Sequence, residues 1–281
     1  MSPMSPMSPV NSGNQLSGQD PEHIPDYRSL FSLDQRVFVV LGGGAGIGRQ
    51  SSHALAQAGA KVVVVDTDPA AAAAVAAEVG GIALTADVTR RGSVEEVFAE
   101  AARQAGPVRG VVDIVGVASL GPLAALDDAG WDRQFDLVLR HAYLALQIGG
   151  RVIAEAGGGV MVFVGSISGY AHADGEVAYG AAKAALHHLV AGAARELAPQ
   201  GVRVNAIAPG YTRTPRLLAL LGEQRWKDID AMIPRGRAAV PAEIAAPIAF
   251  LASDAASYIT GQILGADGGL AGGIPGPFSS R

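Results

Sequence analysis

Tyr179 and Lys183 stand four residues apart in the run Tyr179-Gly180-Ala181-Ala182-Lys183. If that run opens a helix, the phenol and the ammonium lie one turn apart on one face. A nearby cation favours the phenolate, drawing a tyrosine down from its reference of about 10. Such a pair can act as general base toward an alcohol proton. Ser166 precedes Tyr179 by thirteen residues, just past an apolar run, where its hydroxyl could reach the same substrate oxygen. A second constellation lies upstream. Gly42-Gly43-Gly44-Ala45-Gly46-Ile47-Gly48 follows one apolar run, and Asp66 closes the next. Glycines between a strand and a helix let backbone N–H groups approach a pyrophosphate at the helix N-terminus. An acid at the end of the second strand hydrogen-bonds the adenosine ribose hydroxyls and repels a 2′-phosphate. Thr67 is neutral and no cation stands in the glycine loop, so the pattern favours NAD over NADP.

These groups need a scaffold. The runs Val37–Leu41, Val62–Val65, Val111–Val115, Val160–Val164 and Val202–Ile207 are nearly continuous and β-branched. Such runs signify strands covered on both faces, as in a parallel sheet. Ala-rich helical segments alternate with them, around Ala70–Glu78, Val94–Gln104, Trp131–Ala156, Tyr179–Leu197 and Ala242–Ala252. The alternation predicts a single α/β domain, a three-layer doubly wound parallel sheet of the Rossmann type, over residues 31–281. Residues 1–30, with a thrice-repeated Met-Ser-Pro, read as a flexible tail. Of 281 residues, 37 are glycine, which places turns and close backbone approaches throughout.

Composition excludes several classes. With no cysteine there are no disulfides, thiolate nucleophiles or Cys-based metal sites. A net charge of −5 argues against a nucleic-acid partner. No apolar stretch is long enough to span a membrane and the first residues are not a secretory signal, so the chain reads as cytoplasmic. No His, Asp and Glu cluster has metal-ligand spacing. His187-His188 read as interface residues rather than ligands.

The glycine loop, Asp66, Asp87-Val88, Ser166, Tyr179-x-x-x-Lys183, Asn205-Ala206-Ile207-Ala208-Pro209-Gly210 and Asp267-Gly268-Gly269 occur in one order. In that order the chain resembles the classical short-chain dehydrogenase/reductase family over residues 32–270. The resemblance implies that Ser166 orients the substrate oxygen, Tyr179 is the acid/base, and Lys183 lowers its pKa and holds the nicotinamide ribose. It places the cofactor against Gly42, Gly44, Ala45, Gly46, Ile47, Asp66, Asp87, Val88, Val115, Gly116, Pro209, Gly210, Thr212 and Thr214. It implies a homotetramer, or a homodimer, built on the helices around 131–156 and 179–198.

Three positions depart from the family. Leu41 stands where the glycine motif usually begins with Thr, and Asp113-Ile114-Val115-Gly116 replaces Asn-Asn-Ala-Gly. Those two motifs normally meet through a polar contact. Asp113, a carboxylate in a buried strand, needs donors that spacing alone does not name. Val138 occupies the place of the family's fourth catalytic residue, an Asn, and His141 follows one turn later. His141 is thus either a substitute polar group in the proton relay or a packing or interface residue.

The segment 211–237 is where the family places its substrate loop. Its leucines, Trp226, Ile229, Met232 and Ile233 suggest an apolar lid, with His172, Tyr211, Leu217 and Trp226 as candidate substrate contacts. The leading expectation is an NAD-dependent oxidoreductase interconverting a hydrophobic secondary alcohol and its ketone. An NAD-binding redox sensor or scaffold with little turnover is the alternative, and a related lyase or epimerase is a further one.

Overall fold

The computed structural model describes residues 22–172 and 174–272. Seven strands form one parallel sheet in the order β3-β2-β1-β4-β5-β6-β7. They are β1 (Val37–Leu41), β2 (Lys61–Asp66), β3 (Ile82–Thr85), β4 (Val108–Asp113), β5 (Gly159–Val164), β6 (Val202–Pro209) and β7 (Ile263–Ala266). This is a Rossmann-type, single-domain architecture, as the alternating pattern predicts.

The helices are α1 (Gly46–Gln57), α2 (Pro69–Val79), α3 (Arg91–Ala105), α4 (Asp128–Phe135), α5 (His141–Leu144), α6 (Gly150–Glu155), α7 (Val177–Leu197), α8 (Pro215–Leu220), α9 (Glu223–Met232) and α10 (Pro241–Ala252). Successive strand residues face opposite sides of the sheet. Val37, Val39 and Leu41 therefore join one apolar core with Phe98, Leu144 and Leu186, while Phe38 and Val40 join another with Leu55, Ile244 and Ile248. Helices α3, α5, α6 and α7 cover the first face, and α1, α2 and α10 the second. Local rules set the helix ends. Asp68 accepts from the N–H groups of Ala70 and Ala71 ahead of Pro69, and α2 stops at Gly80 in the left-handed conformation.

Three details differ from expectation. The segment expected as one helix over 131–156 is broken by π turns at Asp136–Arg140 and Ala145–Gly149, leaving α5 as a single turn between them. A wider i→i+5 turn preserves hydrophobic content, so apolar periodicity does not reveal it. β7, a short edge strand with a glycine inside, carries no β-branched run. Of the expected tail, residues 1–21 lie outside the described residues, and Leu30 at its other end is already buried beside Leu33.

Candidate active site

The carboxyl ends of the strands bring the two constellations to one edge of the sheet. β1 runs into the glycine loop, and α1 starts with no side-chain cap and no acidic residue in its first turn. Its free N–H groups and dipole suit an anion there. A Cβ on Gly48 would collide with the carbonyl oxygen of Gly42. One on Gly44 would lie 2.7 Å from Asp66 Oδ2. The Gly44 N–H donates to that oxygen at 2.9 Å, so the loop and the acid at the end of β2 are tied together. Gly46 approaches Thr214, bringing the loop after β6 beside the first. Bare glycines, an uncapped helix and a partly exposed carboxylate fit a dinucleotide.

The remaining predicted cofactor positions surround this cradle. Asp87 follows β3 with its carboxylate accepting from the N–H and hydroxyl of Thr89, and Val88 is buried. Val115 and Gly116 leave the end of β4, and a Val115 methyl lies against Gly42. Pro209 ends β6, and Gly210 passes so near Asp267 that a Cβ would come within 3.0 Å of its Cα. Thr212 is buried and donates to the Gly210 carbonyl, and Thr214 caps α8.

On the other side, β5 ends in the turn that carries Ser166. Its hydroxyl accepts from the Ser168 N–H at 3.1 Å and bonds the Tyr179 phenol. Lys183 is 2% exposed. Its Nζ donates to the Val164 carbonyl at 2.7 Å and lies 5.7 Å from the Tyr179 ring centroid. Burial lowers this lysine to about 8, against the pull of Asp113. The phenol departs from the sequence-based expectation. Burial drives it up to about 12, the Ser166 hydrogen bond opposes the rise, and the Glu176 carboxylate adds to it. The lysine addresses the ring and a carbonyl, so burial outweighs its help to the phenolate.

Behind the serine turn, His187 packs where a Cβ on Gly165 or Gly169 would strike its ring. Burial and the neighbouring Lys183 push it down to about 4, so it buttresses the serine turn as a neutral ring. His188 is exposed. Gln134 is a residue the sequence reading missed. Fully buried, it donates to the Val117 carbonyl and accepts from the Ser119 N–H, fastening the chain after Gly116. Its one signal is an uncharged polar residue on the inward face of α4.

Asp113 and His141, both flagged by sequence, are brought together. His141 Nδ1 meets Asp113 Oδ2 at 2.8 Å, and Oδ1 accepts from the Val115 N–H at 3.1 Å. Leu41 is the direct register partner of Asp113, so β1 offers this carboxylate no polar side chain and it takes its partners elsewhere. Val138 is fully buried.

The loop after β6 is closed at its neck, where Thr212 bridges Ala239. Inside it, Trp226, Ile229, Ile233 and Ala238 form a small core, with Tyr211 and Leu217 packed against them. Arg213 stacks over the Trp226 ring at 4.5 Å. Trp226 is thus buried in the packing of the loop itself. His172 is exposed and pairs with Asp174 at 3.3 Å. It lines a hollow of about 310 Å³ with Ser168, Tyr170, Glu176 and Ala181. Among the described residues, no three His, Cys, Asp or Glu side chains could hold a metal ion, and no helix is long and apolar enough to cross a membrane.

A family model described as enoyl-(acyl carrier protein) reductase matches residues 42–271. A galactitol 2-dehydrogenase (L-tagatose-forming) of Cereibacter sphaeroides is 39% identical, covering 87% of this chain and 98% of its own. The chain belongs to the short-chain dehydrogenase/reductase family. It is also similar to an NAD-dependent glycerol dehydrogenase of Listeria innocua, at 35% identity over 85% of this chain and 95% of that one. Among solved structures, a 7α-hydroxysteroid dehydrogenase complexed with NADH and 7-oxo glycochenodeoxycholic acid superposes with a TM-score of 0.82. It shares 30% identity, and the match covers 86% of this chain and 96% of that one. Relatives of this kind support an alcohol/ketone oxidoreductase.

Proposed function

We propose that this short-chain dehydrogenase/reductase uses NAD to interconvert a secondary alcohol and its ketone, with Tyr179 as the proton-transferring residue. One juxtaposition supports the reading: Ser166, Tyr179 and Lys183 at the same sheet edge as a glycine cradle tied to Asp66. Gly42, Gly44 and the α1 N-terminus would receive the pyrophosphate, Asp66 the adenosine ribose, and Lys183 the nicotinamide ribose. Bound NAD would supply the hydride acceptor in oxidation and, reduced, the donor in the reverse direction. In oxidation Ser166 orients the hydroxyl while the Tyr179 oxygen accepts its proton; in reduction the phenol returns it to the carbonyl oxygen.

Exposed Leu218 and Leu220 on α8 support a hydrophobic substrate. A polyol is the second reading. It is favoured by the Glu176 carboxylate, whose charge acts on both Tyr179 and Tyr211 and which accepts from Ser168 Oγ at 2.6 Å. Exposed Trp131 and Tyr143 support assembly into a homotetramer or homodimer through the helical face of α4 and α5. The test is a panel of hydrophobic secondary alcohols and polyols assayed with NAD and with NADP, using wild type and Tyr179→Phe. Loss of turnover by about 10²–10⁴-fold with NAD binding retained is expected of the variant. Wild-type turnover in the variant would overturn the mechanism, and preference for NADP would overturn the cofactor. Tight NAD binding with no turnover on any alcohol would instead favour the redox-sensing or scaffold reading.

A further inference from the structure

Lys183 is a charged group with almost no access to water, and a buried charge needs a counter-charge or it gives up its proton. Its placement is tightly determined. Nζ bonds the Val164 carbonyl at the end of β5, and a Cβ on Gly116 would come within 3.0 Å of it. Three residues before Gly116, at the end of β4, stands Asp113, 1% exposed. One carboxylate oxygen accepts from the Val115 N–H and the other from His141 Nδ1, also 1% exposed. His141 Nε2 has no partner among the described residues, so the imidazole is spent on this carboxylate alone. Val138, three residues earlier and fully buried, offers nothing polar.

We propose that Asp113, aligned by His141, is the buried counter-charge that keeps Lys183 an ammonium beneath Tyr179. Both are positioning residues acting through Lys183, and neither touches the reacting atoms. The alkyl neighbour Leu41 and the neutral Val138 are compatible with this arrangement, because the polar function has moved to one carboxylate–imidazole pair on the α7 face of the sheet. The charged or titratable groups around Lys183 are few. Asp113 comes from β4, His141 from α5, and Tyr179 and His187 from α7 itself, with Glu176 beyond the tyrosine. On the intervening π turn, Asp136 and Arg140 are exposed, and Arg140 is turned to the Thr89 carbonyl. Asp113 is thus the anion whose field acts on the lysine, raising its proton affinity against burial.

The consequence for Tyr179 rests on the function proposed above, whereas the charge pair itself does not, and the test separates them. The chain has three lysines, Lys61, Lys183 and Lys227, and the other two are exposed. In full-length protein labelled with [13Cε]lysine, NMR titration therefore reads Lys183 directly, assigned by its loss in Lys183→Met. Asp113→Asn preserves the shape and the Val115 bond while removing the charge, and it should move the Lys183 midpoint toward acid by roughly one pH unit. His141→Gln retains a side-chain N–H donor and should leave the midpoint in place. If Asp113→Asn fails to fold, Asp113→Asn combined with Leu41→Thr supplies a polar partner across the register pair and serves the same purpose. An unmoved midpoint in the charge-removing variant overturns the proposal. So does a His141→Gln shift as large as that of Asp113→Asn. In turnover assays, the limb of the kcat/KM–pH profile for alcohol oxidation that follows Lys183 should move toward acid in Asp113→Asn, because the lysine then loses its proton earlier. A purely structural role would lower the rate without moving that limb. A shifted NMR midpoint with no turnover on any alcohol would sink the function and leave the charge pair standing.

Discussion

β2 and β4 flank β1, and each ends in an aspartate, yet the two carboxylates lie in opposite worlds. Leu41 pairs with Val65 on one side and with Asp113 on the other. Asp66 lies one residue beyond Val65, and alternation along a strand turns it to the opposite face of the sheet. Asp66 is partly exposed and held by the N–H groups of Gly44 and Asp68. Asp113 is sealed under α5 and α7 and held by an imidazole and one N–H. A one-residue offset thus separates a carboxylate free to meet a ligand from one that can only balance a charge.

Replacing each with leucine should expose the contrast most strongly. Asp113→Leu strands the buried Lys183 and the His141 nitrogen, and a buried pair broken on one side costs about 3–5 kcal/mol. Asp66→Leu removes two hydrogen bonds from half-exposed amides and should cost about 1 kcal/mol. Chemical denaturation of both variants checks this, and equal losses would break the comparison. A smaller effect is expected on cofactor choice. Asp66→Asn should raise the NADP/NAD ratio of kcat/KM by about tenfold to a hundredfold, the worth of a charged hydrogen bond and its repulsion. Asp113→Asn should leave that ratio where it is.

The subtlest effect is on stability against pH. Lys183 titrates at about 8 in the folded chain, below its ordinary 10.5. Between those values the unfolded chain binds more protons, so this residue makes stability rise as pH climbs from about 8 toward 10.5. Tyr179, raised to about 12 from 10.0, works in the opposite sense once pH exceeds 10. Denaturation midpoints followed from pH 8 to 10 should show the rise in wild type and lack it in Lys183→Met.

What sequence could reveal divides along the same line. The central strands are legible because burial on both faces demands continuous β-branched runs. The edge strands are not: β3 is located only by the Asp87-Val88 pair after it, and β7 leaves no run at all. Tyr179, Lys183 and the glycine loop are legible because their geometry is local, one helical turn or one tight turn. Asp113 and His141 each stand out as oddities, but their contact spans 28 residues and depends on how α5 lies across the sheet. No spacing rule encodes that. The loop after β6 is opaque for a related reason: composition cannot separate Trp226, buried within it, from Leu218 and Leu220, which are exposed.

The two π turns bear on how such a pair could arise at all. Each amounts to one extra residue within a helix. An extra residue rotates everything beyond it by about 100°, the angle per residue at 3.6 per turn. With one such insertion on either side, the single turn His141–Leu144 has a rotational phase independent of the helix before it and the helix after it. Its orientation toward the sheet can therefore be changed without disturbing the apolar seams of α4 or α6. New polar chemistry can be introduced there while the helix continues to cover the core.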